Sequence, residues 1–469
     1  MSTPRSATAT DVVRNPRRAL AIVVFVVFID LLGFGVVIPI LPFYVRSFGV
    51  SDVFIGLLAA SYSLMQFGFA PFLGRLSDQR GRRPVIMLSL AGSTVAWTIF
   101  GLAAEFSSLF GVAAGVTVLF VSRMLAGAMG GNIAAAQAYV ADITPEERRA
   151  EALGLVGASF ALGFVFGPAI GGLFASDAVV AAAEGLFPAF VPATPFSLPS
   201  FAAALFSLTS LVFAALFLEE PARTRGTAPR TTLVSQFADA LRDPNLRGLV
   251  VSFFLVSVAF SGIQVMFIPF AADIYGYQET QTAFLLTYIG VLGVFNQGVL
   301  VGRLSRRYRD SYIAVAGGTI LLVALAAIPF SPELGALLPP LGGPEYLTPA
   351  LVALLVALAL LSVGNSLLNV ALTTLVSKAT SAETQGSAFG VTQGAGSLGR
   401  TVGPPAMAAL YVFTYWSPFV AGALIILPIL TILVGIARTG LASPPDVSRT
   451  EGPTDGVVGE PDGGDERSR

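Results

Sequence analysis

The chain has no cysteine and no histidine, and only 12% of its 469 residues are charged. Without cysteine there is no disulfide, no thiol nucleophile and no thiolate-ligated zinc. Without histidine, a histidine-ligated metal is excluded, and any pH-sensing group must be a carboxylate. Lys378 is the one lysine, and no Gly-x-x-x-x-Gly-Lys-[Ser/Thr] loop is present, which argues against ATP hydrolysis. A net charge of −1 provides no basic surface for nucleic acid. The expectation is a protein that is not an enzyme and carries neither cofactor nor metal.

Apolar residues are abundant at 54%, which fits a polytopic membrane protein whose environment is the lipid bilayer. With about 20 apolar residues per span, helices are expected at Ala19–Tyr44, Phe54–Leu73, Pro84–Ala104, Leu109–Tyr139, Ala152–Ala175 and Ser200–Leu218. A second set is expected at Leu249–Ala271, Thr282–Val301, Ile313–Phe330, Pro349–Val376, Ser387–Phe413 and Pro418–Ala437. The first run follows Arg14, Arg17 and Arg18 but is too long for a signal-peptide core and lacks a small-x-small exit, so it should remain as the first helix.

Twelve spans place both termini on one side, and arginine placement assigns that side to the cytoplasm. Arg46 alone falls in an odd-numbered loop, while Arg123 and Arg400 lie inside helices. The expected location is the plasma membrane. The expected divisions are residues 1–18 (cytoplasmic segment), 19–218 (first six-helix bundle), 219–246 (linker), 247–437 (second bundle) and 438–469 (disordered acidic tail). Within the linker, Leu233, Val234, Phe237, Ala238 and Leu241 share helical spacing, as in an amphipathic interfacial helix. The external loop 176–199, with Phe187, Phe190 and Phe196 among prolines, should lie on the outer surface.

The two sets are related by an internal repeat. Phe72-Leu-Gly-Arg-Leu-Ser77 recurs as Leu300-Val-Gly-Arg-Leu-Ser305, the segment from Thr144 to Gly154 recurs more weakly from Thr380 to Gly390, and Gly167-Pro168 is matched by Gly403-Pro404. A longer connection between the ninth and tenth helices, Ser331 to Thr348, accounts for the change in offset.

Between the second and third runs lies a short charged loop, Gly74-Arg-Leu-Ser-Asp78-Gln-Arg-Gly81-Arg82-Arg83. It resembles the G-x-L-x-D-x-x-G-R-[RK] signature of major facilitator superfamily transporters. Three further stretches resemble that superfamily's twelve-helix drug/proton antiporter branch, which includes tetracycline/proton antiporters. They are Asp30-x-x-Gly33-x-Gly35-x-x-x-Pro39-x-x-Pro42 on the first helix, Arg123-x-x-x-Gly127 on the fourth, and Gly163-x-x-x-Gly167-Pro168-x-x-Gly171-Gly172 on the fifth.

The resemblance implies an all-α fold of two pseudo-symmetric six-helix bundles, with the substrate site between them at mid-membrane and a chain that works as a monomer. It also implies proton coupling by Asp30 and Arg123, which would be partners. Physical chemistry supports the first role, since a carboxylate near the bilayer centre has a raised pKa and suits reversible protonation; a permanently paired structural Asp is the alternative. The glycines of the fifth helix open a groove for close helix approach. In the loop, Asp78 is expected near the start of the eleventh helix, around Gly386 and Ser387, with Arg82 pairing with Asp142, so that the loop latches one state. Arg306 replaces Asp78 in the second-half copy, so one such latch is expected.

Polar stripes at helical spacing nominate cavity residues: Gln264 on the seventh helix, Asn365 and Asn369 on the tenth, Gln393 and Arg400 on the eleventh, with Tyr62, Gln66, Tyr288 and Phe295 opposite. Arg123 and Arg400 would tip the cavity positive unless Asp30 is ionised. The leading expectation is export of small, amphipathic, drug-like compounds in exchange for protons. Uptake or exchange of an organic anion or sugar, and a non-transporting scaffold or receptor, are the alternatives.

Overall fold

A computed structural model of the chain describes residue 13 and residues 15–130, 132–188, 190–221, 233–339, 347–380 and 385–439. The tail from 440 onward, residues 1–12 and 14, Gly131, the Thr/Arg/Pro-rich linker piece 222–232 and residues 381–384 of the repeat lie outside the described residues.

Among the described residues the regular structure is helical. The first half contains α1 (Pro16–Val37), the short α2 (Leu41–Ser47), α3 (Val53–Arg80), α4 (Arg82–Gly101), α5 (Val112–Met129), α6 (Asn132–Ile143), α7 (Glu146–Phe174) and α8 (Ser197–Phe217). The linker helix α9 (Leu233–Arg242) follows. The second half contains α10 (Arg247–Tyr275), α11 (Glu279–Phe295), α12 (Asp310–Ala327), α13 (Pro349–Ala379), α14 (Gln385–Phe413) and α15 (Ser417–Thr439). Among the described residues, eleven helical segments are long and apolar enough to cross a bilayer. The twelfth long helix, α14, has 29 residues but is diluted by glycines, Gln393, Ser397 and Arg400.

Three of the interruptions in the expected single helices have a clear local reason. Pro39 and Pro42 lack the backbone N–H that continues a helix, and the first run divides into α1 and α2. The fourth divides into α5 and α6, with α5 ending at Gly130, a residue type whose helix propensity is lowest among non-proline residues. The eighth passes at Asn296 into a π-helix, Asn296–Val301, a widened turn frequent at functional sites.

The two halves repeat one packing scheme. α1 packs on α7 and α8, α4 on α5 and α8, and α3 on α5; correspondingly α10 packs on α14 and α15, α12 on α13 and α15, and α11 on α13. The seam between halves is formed by α3 against α14 and α7 against α11. The close approach of α1 to α7 requires the glycine row: a Cβ on Gly163 would lie 2.9 Å from the Leu31 Cβ, and one on Gly167 would lie 2.5 Å from the Gly35 Cα. Gly172 faces α11 instead, and its carbonyl accepts a 3.0 Å hydrogen bond from the Thr280 hydroxyl.

One end of the first half is closed by a core of Ala19, Leu73, Val85, Ile143, Ala152 and Leu218, drawn from the beginnings of α1, α4 and α7 and the ends of α3, α6 and α8. This is the loop end. There α9 lays Phe237 and Ala240 against Val250, Val391 and Ala395. The opposite, far end carries α2.

Candidate functional site

At the far end the halves are joined by charge. Arg46 on α2 donates from Nε and Nη2 to both oxygens of Asp52, at 2.8 and 2.7 Å. Its Nη1 and Nη2 also donate to both oxygens of Asp273 on α10, at 2.7 and 2.9 Å, and the Tyr411 hydroxyl of α14 donates to Asp273 at 2.7 Å. Burial opposes the Arg46 charge, but the bonds to Asp52 and Asp273 outweigh it and hold the guanidinium above its ordinary pKa. Two bidentate carboxylate pairs on one planar fork form a strong, directional clasp.

The loop end is organised differently. Gly81 takes φ 127°, a region that L side chains avoid, and so turns α3 directly into α4. The Glu220 carboxylate then caps α4, accepting from the backbone N–H of Arg82 and of Arg83 at 2.8 Å each, where a helix N-terminus favours an anion. Arg82 donates to Asp142 at 2.9 Å and to Asp78 at 2.5 Å, and Arg83 donates to the Ala215 carbonyl at 2.7 Å. A Cβ on Gly74 would meet nothing within 4 Å. At the start of α14 the Ser387 hydroxyl donates to Gln236 of the linker helix at 3.4 Å. One turn further on, the Phe237 ring packs over Gly394 beside Phe67 of the first half.

In the middle of the first half, where a partnership was expected, no ion pair between Asp30 and Arg123 is found among the described residues. Asp30 accepts a 3.1 Å hydrogen bond from the Ser207 hydroxyl of α8. Arg123, 6% exposed, is enclosed by three aromatic faces, with its guanidinium carbon 4.7 Å from the centroid of Tyr62, 5.5 Å from Trp97 and 5.7 Å from Phe34. Its Nε is buried without a hydrogen-bond partner. Ring quadrupoles attract a desolvated cation by about 0.5–2 kcal/mol each, so the aromatic enclosure takes the place expected of the carboxylate. Tyr62 lies within electrostatic reach of Arg123, Asp30 and Arg400, which links this cluster across the seam to α14. There the Arg400 Nη2 donates to the Ser397 hydroxyl at 2.9 Å.

Beside the cluster lies a cavity of about 380 Å³ between the halves. Phe160, Phe164 and Pro168 of α7 form one wall; α10, α11 and α13 contribute Phe260, Gln264, Phe267, Gly293, Ser362, Asn365 and Ser366, and the π-helix contributes Gln297. Of the nominated residues, Gln264 and Asn365 line it. Asn369 sits one turn away and donates to the Asn365 side-chain oxygen at 2.7 Å. Gln66 stands 3.5 Å from the Tyr62 hydroxyl, with the charged cluster rather than the cavity, and Gln393 is exposed.

Tyr288 and Phe295 are corrections. The α11 wall is built from Leu286, Ile289, Gly290, Gly293 and Val294, and residues 288 and 295 fall on the other side of a 3.6-residue turn. Tyr288 accordingly donates to the Leu355 carbonyl of α13 at 3.2 Å, and Phe295 is 58% exposed. Sequence reading missed Gln297, Phe160 and Phe164, as well as Asn296, which is 4% exposed and donates to the Ser362 hydroxyl at 3.3 Å from the first residue of the π-helix. A polar Asn-Gln pair inside an apolar run was the available signal.

Residues 23–342 match the family model described as Major Facilitator Superfamily. The chain is 30% identical over 308 residues to the class E tetracycline resistance protein of Escherichia coli, covering 64% of this chain and 69% of that protein. It is 28% identical over 425 residues to multidrug resistance protein 1 of Bacillus subtilis, covering 90% and 95%. Among solved structures, the human organic anion transporter MFSD10 (TETRAN) aligns with a TM-score of 0.60 at 22% identity, covering 89% of this chain and 99% of that one. A bacterial homologue of the human lysosomal transporter Spinster, in an inward-facing and occupied conformation, aligns with a TM-score of 0.70 at 15% identity, covering 90% and 96%. The chain therefore belongs to the major facilitator superfamily, a multi-pass membrane transporter of small molecules resembling the tetracycline- and multidrug-resistance branch.

Proposed function

We propose that the chain is a proton-coupled exporter of small amphipathic compounds, working as a monomer in the plasma membrane with its loop end and both termini in the cytoplasm. The observation that carries this reading is Asp30, an intramembrane carboxylate that accepts from Ser207 and acts electrostatically on Tyr62, whose ring lies against Arg123. A carboxylate at that depth costs about 3 kcal/mol when ionised, so its protonation responds to the side it faces and to nearby charge. The similarity to tetracycline and multidrug resistance proteins supports export as the direction. Alternating access would occur by one half rocking on the other around the central cavity, with the far-end clasp closed in the described state.

The test uses proteoliposomes with an acidic lumen and tetracycline or ethidium as probe. The wild-type chain should concentrate a probe in the lumen while alkalinising it. Asp30→Asn should abolish both effects and leave probe binding measurable. An Asn variant that still concentrates probe would place coupling elsewhere. The electrostatic reach of both Arg123 and Arg400 to Tyr62 supports a second reading, organic-anion exchange, for which transport would persist without a pH gradient and require an anionic counter-substrate.

A further inference from the structure

The two helices that meet at the seam, α3 and α14, touch differently along their length. Towards the far end their backbones are in contact: a Cβ on Gly56 would collide with the Pro404 carbonyl and lie 2.7 Å from the Ala408 Cβ. About 15 Å nearer the loop end along the helix axes, at Gly394, the neighbours are rings instead. A Cβ there would lie 2.8 Å from the Phe237 Cζ of the linker helix and 3.8 Å from the Phe67 Cε2 of α3. We propose that the linker helix α9 is a removable wedge, which holds the loop end of the seam apart with the Phe237 ring and must withdraw before that end can close.

The wedge belongs to the second half. α9 packs on α10 and α14, with Phe237 and Ala240 against Val250, Val391 and Ala395, and Gln236 accepts from the Ser387 hydroxyl at 3.4 Å. Rocking therefore carries α9 along with α14, and α3 is the element that must come to it. Closure asks α3 to approach Gly394 as it already approaches Pro404 at Gly56, and a glycine on each of these contacts is what lets two helices come so close. The Phe237 ring occupies that space. Packed interiors leave no room for a ring and a second helix in one place, so closing the seam expels the ring. The helix is suited to leaving. It has ten residues, too few to be stable without tertiary packing, and its Asp239 and Arg242 side chains already face outward, so its apolar side can transfer to the bilayer interface. A contact of this kind exists only while the loop end is open, and it therefore favours that state.

The experiment uses the full chain in lipid nanodiscs, without substrate or gradient, so its outcome is independent of the exporter reading. Hydrogen–deuterium exchange is followed at the far end, in α2 and the start of α11, and at the loop-end turn from α3 to α4. Phe237→Ala should raise far-end exchange about fivefold, the effect of losing a half-buried ring, and lower exchange at the loop-end turn. Leu241→Ala lies on the same helix but at a position 47% exposed, and should change neither by more than about twofold. Gln236→Cys combined with Ser387→Cys, in a chain that has no cysteine of its own, allows a short bis-methanethiosulfonate reagent to fasten the wedge in place. Far-end exchange should then fall below the wild-type rate and recover when the bridge is reduced, a reversal that misfolding cannot imitate. Unchanged far-end exchange in Phe237→Ala, a rise at both ends, an equal rise in Leu241→Ala, or no fall on bridging would overturn the proposal.

Discussion

The two ends of the molecule use arginine in opposite ways. At the far end Arg46 grips Asp273 of the other half, whereas at the loop end Arg82 grips Asp78 and Asp142 of its own half. A pair inside one half travels with that half and survives a rocking motion; a pair across the seam must break when the seam opens. The clasp at Arg46 can therefore bias the conformational equilibrium directly, while the Arg82 network shapes the turn from α3 to α4. The loop signature alone suggests the reverse emphasis, with the latch at the charged loop.

The largest effect should come from Arg46→Ala, which removes four hydrogen bonds across and beside the seam. Charge-assisted bonds contribute about 1.5–3 kcal/mol, so the far end should open by a factor of at least ten, with Asp273→Asn acting in the same direction. Labelling rates of Cys introduced at Thr280 would report this cleanly, because the chain has no native cysteine. Next in size is Gly167→Ala, whose Cβ would collide with Gly35. Overpacking costs about 1–3 kcal/mol, so the melting temperature should fall while the ratio of accessibility at the two ends stays unchanged, since the contact lies within one half. Arg82→Ala should shift that ratio only about two- to fivefold, consistent with partly exposed ion pairs worth up to about 1 kcal/mol; an effect as large as that of Arg46→Ala would erase the distinction between the ends. Tyr411→Phe, which removes one bond to Asp273, should open the far end about twofold.

Much of this arrangement was legible in the residues. Hydropathy marked the spans, because a helix that crosses lipid must present apolar residues to it, whereas the Pro39/Pro42 and Gly130 interruptions, which backbone chemistry explains, fell within runs expected to be unbroken. The Gly163, Gly167 and Gly171 row announced a close approach, and α1 is the helix that makes it. Side-chain direction was less legible. A polar or aromatic residue on a membrane helix can face a cavity, a neighbouring helix or lipid, and Tyr288 and Phe295 went to the latter two. Arg123 invited a carboxylate partner, but rings from three separate helices enclose it, an arrangement that only tertiary packing assembles. Arg46 did carry a signal, as the lone basic residue in an odd-numbered loop. Its partner Asp273 stands 227 positions away, beyond the reach of local pattern.

Distances between paired spin labels would test the central claim most directly, that the halves rock about the cavity with the Arg46–Asp273 clasp holding the far end shut. One pair, at Ser51 and Gln278, spans the seam at the far end; the other, at Arg80 and Arg306, spans it at the loop end. In the wild-type chain the first distance should be short and narrowly distributed and the second long. In Arg46→Ala the first should lengthen as the second shortens. Distances that stay unchanged, or that lengthen together at both ends, would contradict the account.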